Sequence, residues 1–308
     1  MSHGLELFTK SFGVSEKELS ESTKKLIGTY NFGFSEIAEP ERDLLIIEIL
    51  QKIKNDKQII ASPERHDAWE KGWAENLNLY LESGGKLDSL TPKFIRSGKP
   101  VRIFGKYCKT EDENFELNYI NVLRSYISDT YFNNIENLYE FGAGTGFNLL
   151  HFGRLNPQLN LIGTDFVKSS VQLMAKIGEI EEINLRSYLF DMLFPSESDL
   201  KIEASSGILT FGSLEQLGGK LNDVIEFFLK SNPAVCVHIE PMIELYKDDS
   251  LEDFLAEWFQ SKRGYSSGLI NIVQELEKSG KAQIIQLQRL GFGSLMMEGY
   301  NLLVWRPL

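Results

Sequence analysis

The sequence has few cysteines, no long apolar run and less positive than negative charge. Its two cysteines, Cys108 and Cys236, lie far apart and fit neither a disulfide framework nor the spacing of a metal site. No apolar run approaches the length that spans a bilayer, and no charged and apolar leader segment is found near the first residue. We therefore expect a soluble, unprocessed protein of a reducing cytoplasm, without a metal site.

Acidic residues outnumber basic residues by 44 to 32, and the formal charge at pH 7 is −12. A surface for nucleic acid or for an anionic membrane needs clustered lysine and arginine, so we expect neither partner. The length of 308 residues and the hydrophobic content of 42% are sufficient for one large domain or two smaller ones with a buried core. The sequence does not determine the oligomeric state.

From about residue 136 the chain alternates short β-rich apolar runs with amphipathic stretches, which is typical of a parallel α/β sheet. Five strands are predicted with helices between them: one ending at Phe141, then 159–166, 183–192, 206–214 and 233–240. Two more β-rich runs, 282–290 and 300–305, have no helix between them and predict an antiparallel hairpin. The expected fold is α/β, with a doubly wound, seven-stranded, mostly parallel sheet whose last strand is antiparallel.

Residues 1–135 show a different pattern, in which mostly helical segments are interrupted by glycine and proline, as at 84–85 and 91–92. No change in composition marks a linker between this part and the rest of the chain. We expect a helical cap of residues 1–135 that packs as one unit with an α/β domain of residues 136–308.

The segment 138–148, with the sequence Leu-Tyr-Glu-Phe-Gly-Ala-Gly-Thr-Gly-Phe-Asn, is the most informative motif of the chain. Alternating glycines at a strand-to-helix turn permit positive φ and a close approach of ligand to backbone, and the following helix offers unpaired N–H groups. The dinucleotide fingerprint requires a glycine at the position of Phe147, so that fingerprint is absent. The negative charge of Glu140 would repel a pyrophosphate and would suit a ligand that carries an ammonium and a sulfonium. The alternative role of Glu140 is to cap backbone N–H groups of the loop.

This motif resembles the first motif, acidic-x-Gly-x-Gly-x-Gly, of the class I S-adenosylmethionine-dependent methyltransferases. The resemblance covers about residues 136–308 and implies a Rossmann-like domain, S-adenosylmethionine as methyl donor and S-adenosylhomocysteine as product. It also implies that residues 1–135 cover the cofactor and help to form the substrate pocket. The expected cofactor-binding residues are Glu140, Gly142, Ala143, Gly144, Gly146, Asn148, Asp165, Phe166, Asp191, Met192 and Gly212.

Three of these residues follow predicted strands and have two interpretations each. Asp165 comes roughly 20 residues after the first glycine, where a carboxylate meets ribose hydroxyls, although a solvated turn acid fits as well. Phe166 suits either stacking on adenine or core packing. Asp191 lies where class I enzymes often place an acceptor for the adenine amino group, and its alternative is a helix N-cap or a surface turn.

Methyl transfer from a sulfonium is an in-line displacement, so an enzyme chiefly aligns the nucleophile and excludes water. For a hydroxyl or protonated amine acceptor, a general base beyond the carboxyl ends of strands four and five would help. The candidates there are Glu215, Glu240 and His238. The alternatives are turn acids for the two glutamates and a packed strand position for His238.

One helical face in the cap carries Trp69, Trp73 and Leu77, which is typical of a buried seam, here between cap and sheet. The run Gly-Trp-Ala-Glu-Asn at 72–76, together with Asn148-Leu149, is similar to bacterial enzymes described as sugar O-methyltransferases or as side-chain methyltransferases of ribosomal peptides. The implied acceptor is an O or N atom of a small molecule, a sugar or a peptide side chain.

Three other functions remain open from the sequence. The first is a nicotinamide-dependent oxidoreductase, which the glycine spacing and Glu140 disfavour. The second is an aminopropyl transferase that uses decarboxylated S-adenosylmethionine. The third is a non-catalytic sensor or partner subunit that binds S-adenosylmethionine. The motif residues concern cofactor binding alone, so they determine neither the acceptor, the pathway nor the base.

Overall fold

The computed structural model describes residues 3–58, 60 and 63–308. Its helices are α1 (His3–Phe12), α2 (Glu21–Thr29), α3 (Glu41–Asn55), α4 (Pro63–Glu82), α5 (Phe115–Tyr131), α6 (Phe147–Leu155), α7 (Lys168–Ile180), α8 (Asn222–Ser231), α9 (Leu251–Arg263) and α10 (Leu269–Lys278). Its strands are β1 (Phe34–Glu36), β2 (Val101–Ile103), β3 (Lys106–Thr110), β4 (Asn137–Phe141), β5 (Asn160–Asp165), β6 (Leu185–Leu189), β7 (Ser206–Phe211), β8 (Val235–Glu240), β9 (Ala282–Gln288), β10 (Phe292–Ser294) and β11 (Asn301–Pro307).

The larger sheet has seven strands in the order β6-β5-β4-β7-β8-β11-β9. Strands β4 to β8 run parallel, and β11 runs antiparallel to both of its neighbours. β4 and β8 are buried along their whole length, as expected for parallel strands with both faces covered. The predicted α/β fold with a mostly parallel sheet and an antiparallel last strand is confirmed. The strand order reverses between β4 and β7, where open α/β sheets bind ligands.

A second sheet, which the sequence did not predict, has the order β1-β3-β2-β10 and is antiparallel throughout. Its first three strands belong to residues 1–135, and β10 lies in the glycine-rich link between β9 and β11. Strands of three to five residues are too short to show a clear alternation of apolar and polar positions. The residues of the expected helical cap are therefore joined to the end of the chain by strand pairing.

Apolar and charged contacts join the same two regions. The largest buried cluster contains Phe8 of α1, Tyr119 of α5 and Val304 of β11. In the second sheet, buried Arg102 of the inner strand β2 pairs with Asp253 of α9. Further ion pairs in the same cluster offset the free-energy cost of burying these charges. The cluster consists of Arg102, Arg289, Asp253 and Glu298. No helix in the described ranges is long and apolar enough to cross a membrane.

Candidate functional site

The predicted glycine loop joins β4 to α6 and has an unusual backbone. Its glycines, at 142, 144 and 146, have φ values of 72°, 57° and 71°. Residues with a Cβ are strained in this left-handed region. A side chain at Gly142 would overlap Ser213, and a Cβ at Gly144 would lie 3.0 Å from Cζ2 of Trp73. The loop therefore requires glycine both for its conformation and for the close approach of its neighbours.

A cavity of about 60 Å³ lies between this loop, α4 and α5. Six of the predicted cofactor residues line it: Glu140, Gly142, Ala143, Gly144, Asn148 and Gly212. The sequence did not assign Trp73, Phe94, Ile120 and Phe211 to the site, although they line the same cavity. The only signals for them were the aromatic face of α4 and the position of Phe211 at the end of a strand. A larger open groove of about 450 Å³ lies between α7 and β6, and none of the predicted site residues lines it.

Glu140 is a buried carboxyl that faces the cavity with one oxygen free. Its Oε1 accepts a hydrogen bond of 2.7 Å from Asn148 Nδ2, whereas Oε2 has no hydrogen-bond partner among the described residues. Burial raises the pKa of Glu140 to about 8, opposed by the bond from Asn148 and the charge of Arg124. Arg124 in turn donates to Asn148 Oδ1 at 3.1 Å. A buried carboxyl with a free oxygen is suited to bind a cationic N–H donor.

Asp165, at the end of β5, holds the glycine loop through a hydrogen bond to its backbone. Its Oδ2 accepts from the Gly144 N–H at 2.9 Å, and its Oδ1 accepts from the Val167 N–H at 3.2 Å. Burial raises the pKa of Asp165 to about 6, while these backbone bonds oppose the rise. The carboxylate thus fixes the loop and the start of α7, and hydrogen bonds from Ser170 and Phe166 add to this hold.

The other predicted cofactor residues lie around the loop, outside the cavity lining. Asp191 Oδ1 accepts from the Leu193 N–H at 2.9 Å, and this turn follows β6, which is shorter than predicted. The Cε of Met192 would lie 3.3 Å from a Cβ at Gly142. Gly146 faces α7, where a Cβ would lie 2.9 Å from Cγ of Met174. The cofactor roles of these residues stay predictions.

Helix α4 covers one side of this region with three residues that share a face. The ring of His66 meets the edge of Phe166 at a centroid distance of 5.5 Å. Glu70 Oε1 accepts from the Ser169 N–H at 3.1 Å, at the start of α7. Trp73 lies against the glycine loop and stacks on Trp69 at 5.2 Å. The aromatic face predicted as a seam therefore lies over the loop itself.

Two carboxyl groups lie beyond the ends of β7 and β8. Glu240 is buried, its Oε1 accepts from the N–H groups of Ser213 and Leu214 at 3.1 Å each, and its Oε2 has no partner among the described residues. Burial raises the pKa of Glu240 to about 7. Glu215 accepts from Gln216 Nε2 at 2.7 Å, and burial together with the charge of Glu240 raises its pKa to about 8. Near neutral pH such a pair retains at least one proton.

His238 lies inside β8 with both ring nitrogens bonded. Its Nε2 accepts from Trp305 Nε1 at 2.9 Å, so the proton is on Nδ1, which donates to Thr210 Oγ1 at 2.9 Å. Burial lowers the pKa of His238 to about 3. The side chain is a neutral, packed strand residue with no nitrogen available to a substrate.

Asn301 is a site residue that the sequence did not suggest. It lies opposite Glu240 in the ladder between β8 and β11, and it is fully buried. Neither its amide oxygen nor its amide nitrogen has a hydrogen-bond partner among the described residues. No local motif marks this position, because its proximity to Glu240 follows from strand register alone. Within the described ranges no group of three or more His, Cys, Asp or Glu residues is arranged to hold a metal ion.

No protein-family model and no curated protein matches the sequence. Solved structures of similar fold include the [4+2]-cyclase SpnF, with a TM-score of 0.49 and 12% sequence identity. The alignment with SpnF covers 77% of this chain and 95% of the SpnF chain. PigF with SAH has a TM-score of 0.46 at 15% identity, covering 96% of this chain and 77% of that one. Human N-acetylserotonin methyltransferase in complex with SAM has a TM-score of 0.43 at 13% identity, and the alignment covers 62% of this chain and 55% of that one. These similarities identify no activity for this chain.

Proposed function

We propose that this protein is an S-adenosylmethionine-dependent methyltransferase whose acceptor is an O or N atom of a small molecule, a sugar or a peptide side chain. The observation that carries the proposal is the free Oε2 of Glu140, buried in the cavity beside the glycine loop. A ligand with an ammonium group supplies both the missing hydrogen-bond donor and the missing positive charge. The three glycines with positive φ let such a ligand lie directly on the backbone.

The proposed cofactor contacts follow from the positions of the acids. Glu140 binds the ammonium, the loop from Gly142 to Gly146 follows the length of the ligand, and Asp165, which holds the loop through the Gly144 N–H, accepts from ribose hydroxyls. Asp191 accepts from the adenine amino group. When bound, the cofactor supplies a methyl group activated by the sulfonium, and the chain's own residues align the acceptor and exclude water.

Glu240 is the proposed base. It lies at the carboxyl end of β8, its Oε2 is free, and its Oε1 is held by two backbone N–H groups. A pKa raised to about 7 by burial lets it take a proton from a hydroxyl or an ammonium near neutral pH. Glu215 has the higher pKa of the two, about 8, and therefore keeps its proton to higher pH. His238 has no free nitrogen and does not enter this proposal.

Calorimetry with S-adenosylhomocysteine and with NAD⁺ tests the cofactor. We expect S-adenosylhomocysteine to bind, and Glu140→Gln to weaken it about tenfold or more through loss of a charge-assisted hydrogen bond. Glu116→Gln is the matched control, because Glu116 is another buried carboxyl with a raised pKa outside the cavity lining. Binding of NAD⁺ alone would favour the oxidoreductase instead.

The group that is transferred separates the remaining alternatives. The protein is incubated with S-adenosylmethionine labelled in its methyl group and with fractionated metabolites and peptides. The products are identified by mass spectrometry. We expect products heavier by one methyl group in place of a hydrogen. An aminopropyl adduct formed from the decarboxylated cofactor identifies the aminopropyl transferase. Cofactor binding with no product in any fraction favours the non-catalytic sensor.

A further inference from the structure

Three segments meet beside the carboxyl pair at the end of the sheet. The Ile60 N–H donates to the Arg263 carbonyl at 2.8 Å, which brings the chain before α4 to the end of α9. The Ser266 N–H donates to the Glu215 carbonyl at 2.9 Å, which brings the turn after α9 to the loop after β7. Arg65, near the start of α4, lies within electrostatic range of both Glu215 and Arg263.

Arg65 has no acidic partner in the part of the chain that the structure describes, although its side chain is partly buried. Its guanidinium carbon lies 4.8 Å from the centroid of the Trp69 ring. The Nε atom is buried and has no acceptor among the described residues. Arg263 differs, since its Nε donates to Asp56 at 2.7 Å and its Nη1 to the Tyr265 hydroxyl at 3.2 Å. Arg65 is therefore a cation held by packing on Trp69.

The described surroundings of Arg65 compensate its charge only in part. Burial lowers the pKa of Arg65 and the charge of Arg263 acts in the same direction, whereas Tyr265 and Glu215 oppose the fall. Glu215 supplies little negative charge near neutral pH, because burial and the charge of Glu240 raise its pKa to about 8. A partly desolvated guanidinium without a counterion is unfavourable, and an anion with two oxygens would match its planar donors.

The same face of α4 connects Arg65 with the cofactor cavity. Arg65, Trp69 and Trp73 are spaced by four residues, so their side chains follow one another along the helix. Trp69 and Trp73 stack with an interplanar angle of 25°, and Trp73 lines the cavity. Eight residues of helix correspond to about 12 Å. Arg65 therefore lies on the helix face that leads to the cavity, two helical steps from Trp73.

We propose that Arg65 binds a carboxylate of the methyl acceptor, so that the substrate is a carboxylic acid that also carries the hydroxyl or amine to be methylated. This acid lies along the face formed by Arg65, Trp69 and Trp73, with its nucleophile towards Glu240. The inference rests on the proposed function and names the substrate class for that site. Arg65 is a specificity-determining residue in this arrangement.

The test compares two probes that differ in charge and little in shape, 4-hydroxybenzoate and 4-hydroxybenzamide. Binding to the 308-residue chain is measured by calorimetry, with and without S-adenosylhomocysteine. We expect the carboxylate to bind about tenfold more tightly than the amide, from a charge-assisted bidentate contact. Arg65→Gln removes this preference, and Arg65→Lys keeps part of it because lysine retains the charge without the planar fork. Lys71→Gln, an exposed charge on the same helix, leaves it unchanged.

Any of three results overturns the inference: the two probes bind with equal affinity, the preference persists in Arg65→Gln, or neither probe binds at about 10 mM. The separate titration with S-adenosylhomocysteine reports on the cofactor. If that titration fails while the cofactor-free protein still prefers the carboxylate, the proposed function fails and the carboxylate site stands. If S-adenosylhomocysteine binds and the preference is absent, only the carboxylate site fails.

Discussion

The ring of Trp73 lies directly on the glycine loop, where a Cβ at Gly144 would be 3.0 Å from its Cζ2. The cavity between them is small, about 60 Å³. We therefore expect the surroundings of Trp73 to change when a ligand binds at the loop.

We predict that S-adenosylhomocysteine changes the intrinsic tryptophan fluorescence of the protein. Trp73→Phe should remove most of this change, because the stacked pair of Trp69 and Trp73 is then broken. Trp258→Phe is the control, since Trp258 lies partly exposed on α9. An undiminished fluorescence change in Trp73→Phe would show that the change does not arise at Trp73 and would contradict the prediction.

Replacing Asp165 should affect both cofactor affinity and stability. Asp165→Ala removes the acceptor of the Gly144 and Val167 N–H groups, leaving two backbone donors in a buried region. We expect S-adenosylhomocysteine binding to weaken by about 1–3 kcal/mol, and the free energy of unfolding to fall by a similar amount. Calorimetry and urea unfolding measure the two effects, with the solvent-exposed Asp223→Ala as control. An unchanged dissociation constant would remove Asp165 from the cofactor site.

Methyl transfer should depend on pH through the carboxyl pair. As a base, Glu240 acts in its ionised form, so kcat/KM should rise as the pH increases through about 7. Glu240→Gln should lower kcat by roughly 100-fold or more while S-adenosylhomocysteine still binds. Glu215→Gln should leave the rise near pH 7, because Glu215, whose pKa is raised to about 8, is still mostly protonated while Glu240 ionises. A pH profile unaffected by Glu240→Gln would contradict the assignment.

Stability should decrease as the pH rises above about 6.5. Burial raises the pKa values of Glu140 and Glu215 to about 8, so the folded protein keeps protons that the unfolded chain has already released. The stabilising contribution of each group is therefore lost as the pH rises through its folded pKa, by at most about 1.4 kcal/mol per pH unit. The lowered pKa of His238 acts only below about 6.5, where the unfolded chain binds the extra proton. Urea unfolding at about pH 6.5 and pH 8.5 measures the change, which Glu140→Gln should reduce.

Much of the α/β part of the molecule could be predicted from the sequence, because its signals are local. Strands β4 and β8 are mostly apolar, and the loop between β4 and α6 is marked by its glycines. The positive φ of those glycines was predicted from residue type and is observed at all three positions. Glu140 and Asn148 come together for the same reason, since both lie within one strand-turn-helix unit.

Residues 1–135 were harder to predict. Strands β1 to β3 are too short to carry a pattern, and β2 pairs with β10, almost 200 residues further along the chain. The same holds for Asn301, which reaches Glu240 only through the register of β11 on β8. Such pairings depend on sheet order, which no local segment encodes.

The sequence alone determined the parallel sheet, the glycine loop and the acid beside it, because strand pattern and backbone conformation are set by near neighbours in the chain. Only the tertiary structure decided what surrounds them. It placed Trp73 on the loop and, among the residues that the structure describes, left Oε2 of Glu240 without a hydrogen-bond partner and Arg65 without an ion pair near the carboxyl pair. These features arise where distant segments pack together, and packing sets burial, charge compensation and hydrogen-bond satisfaction.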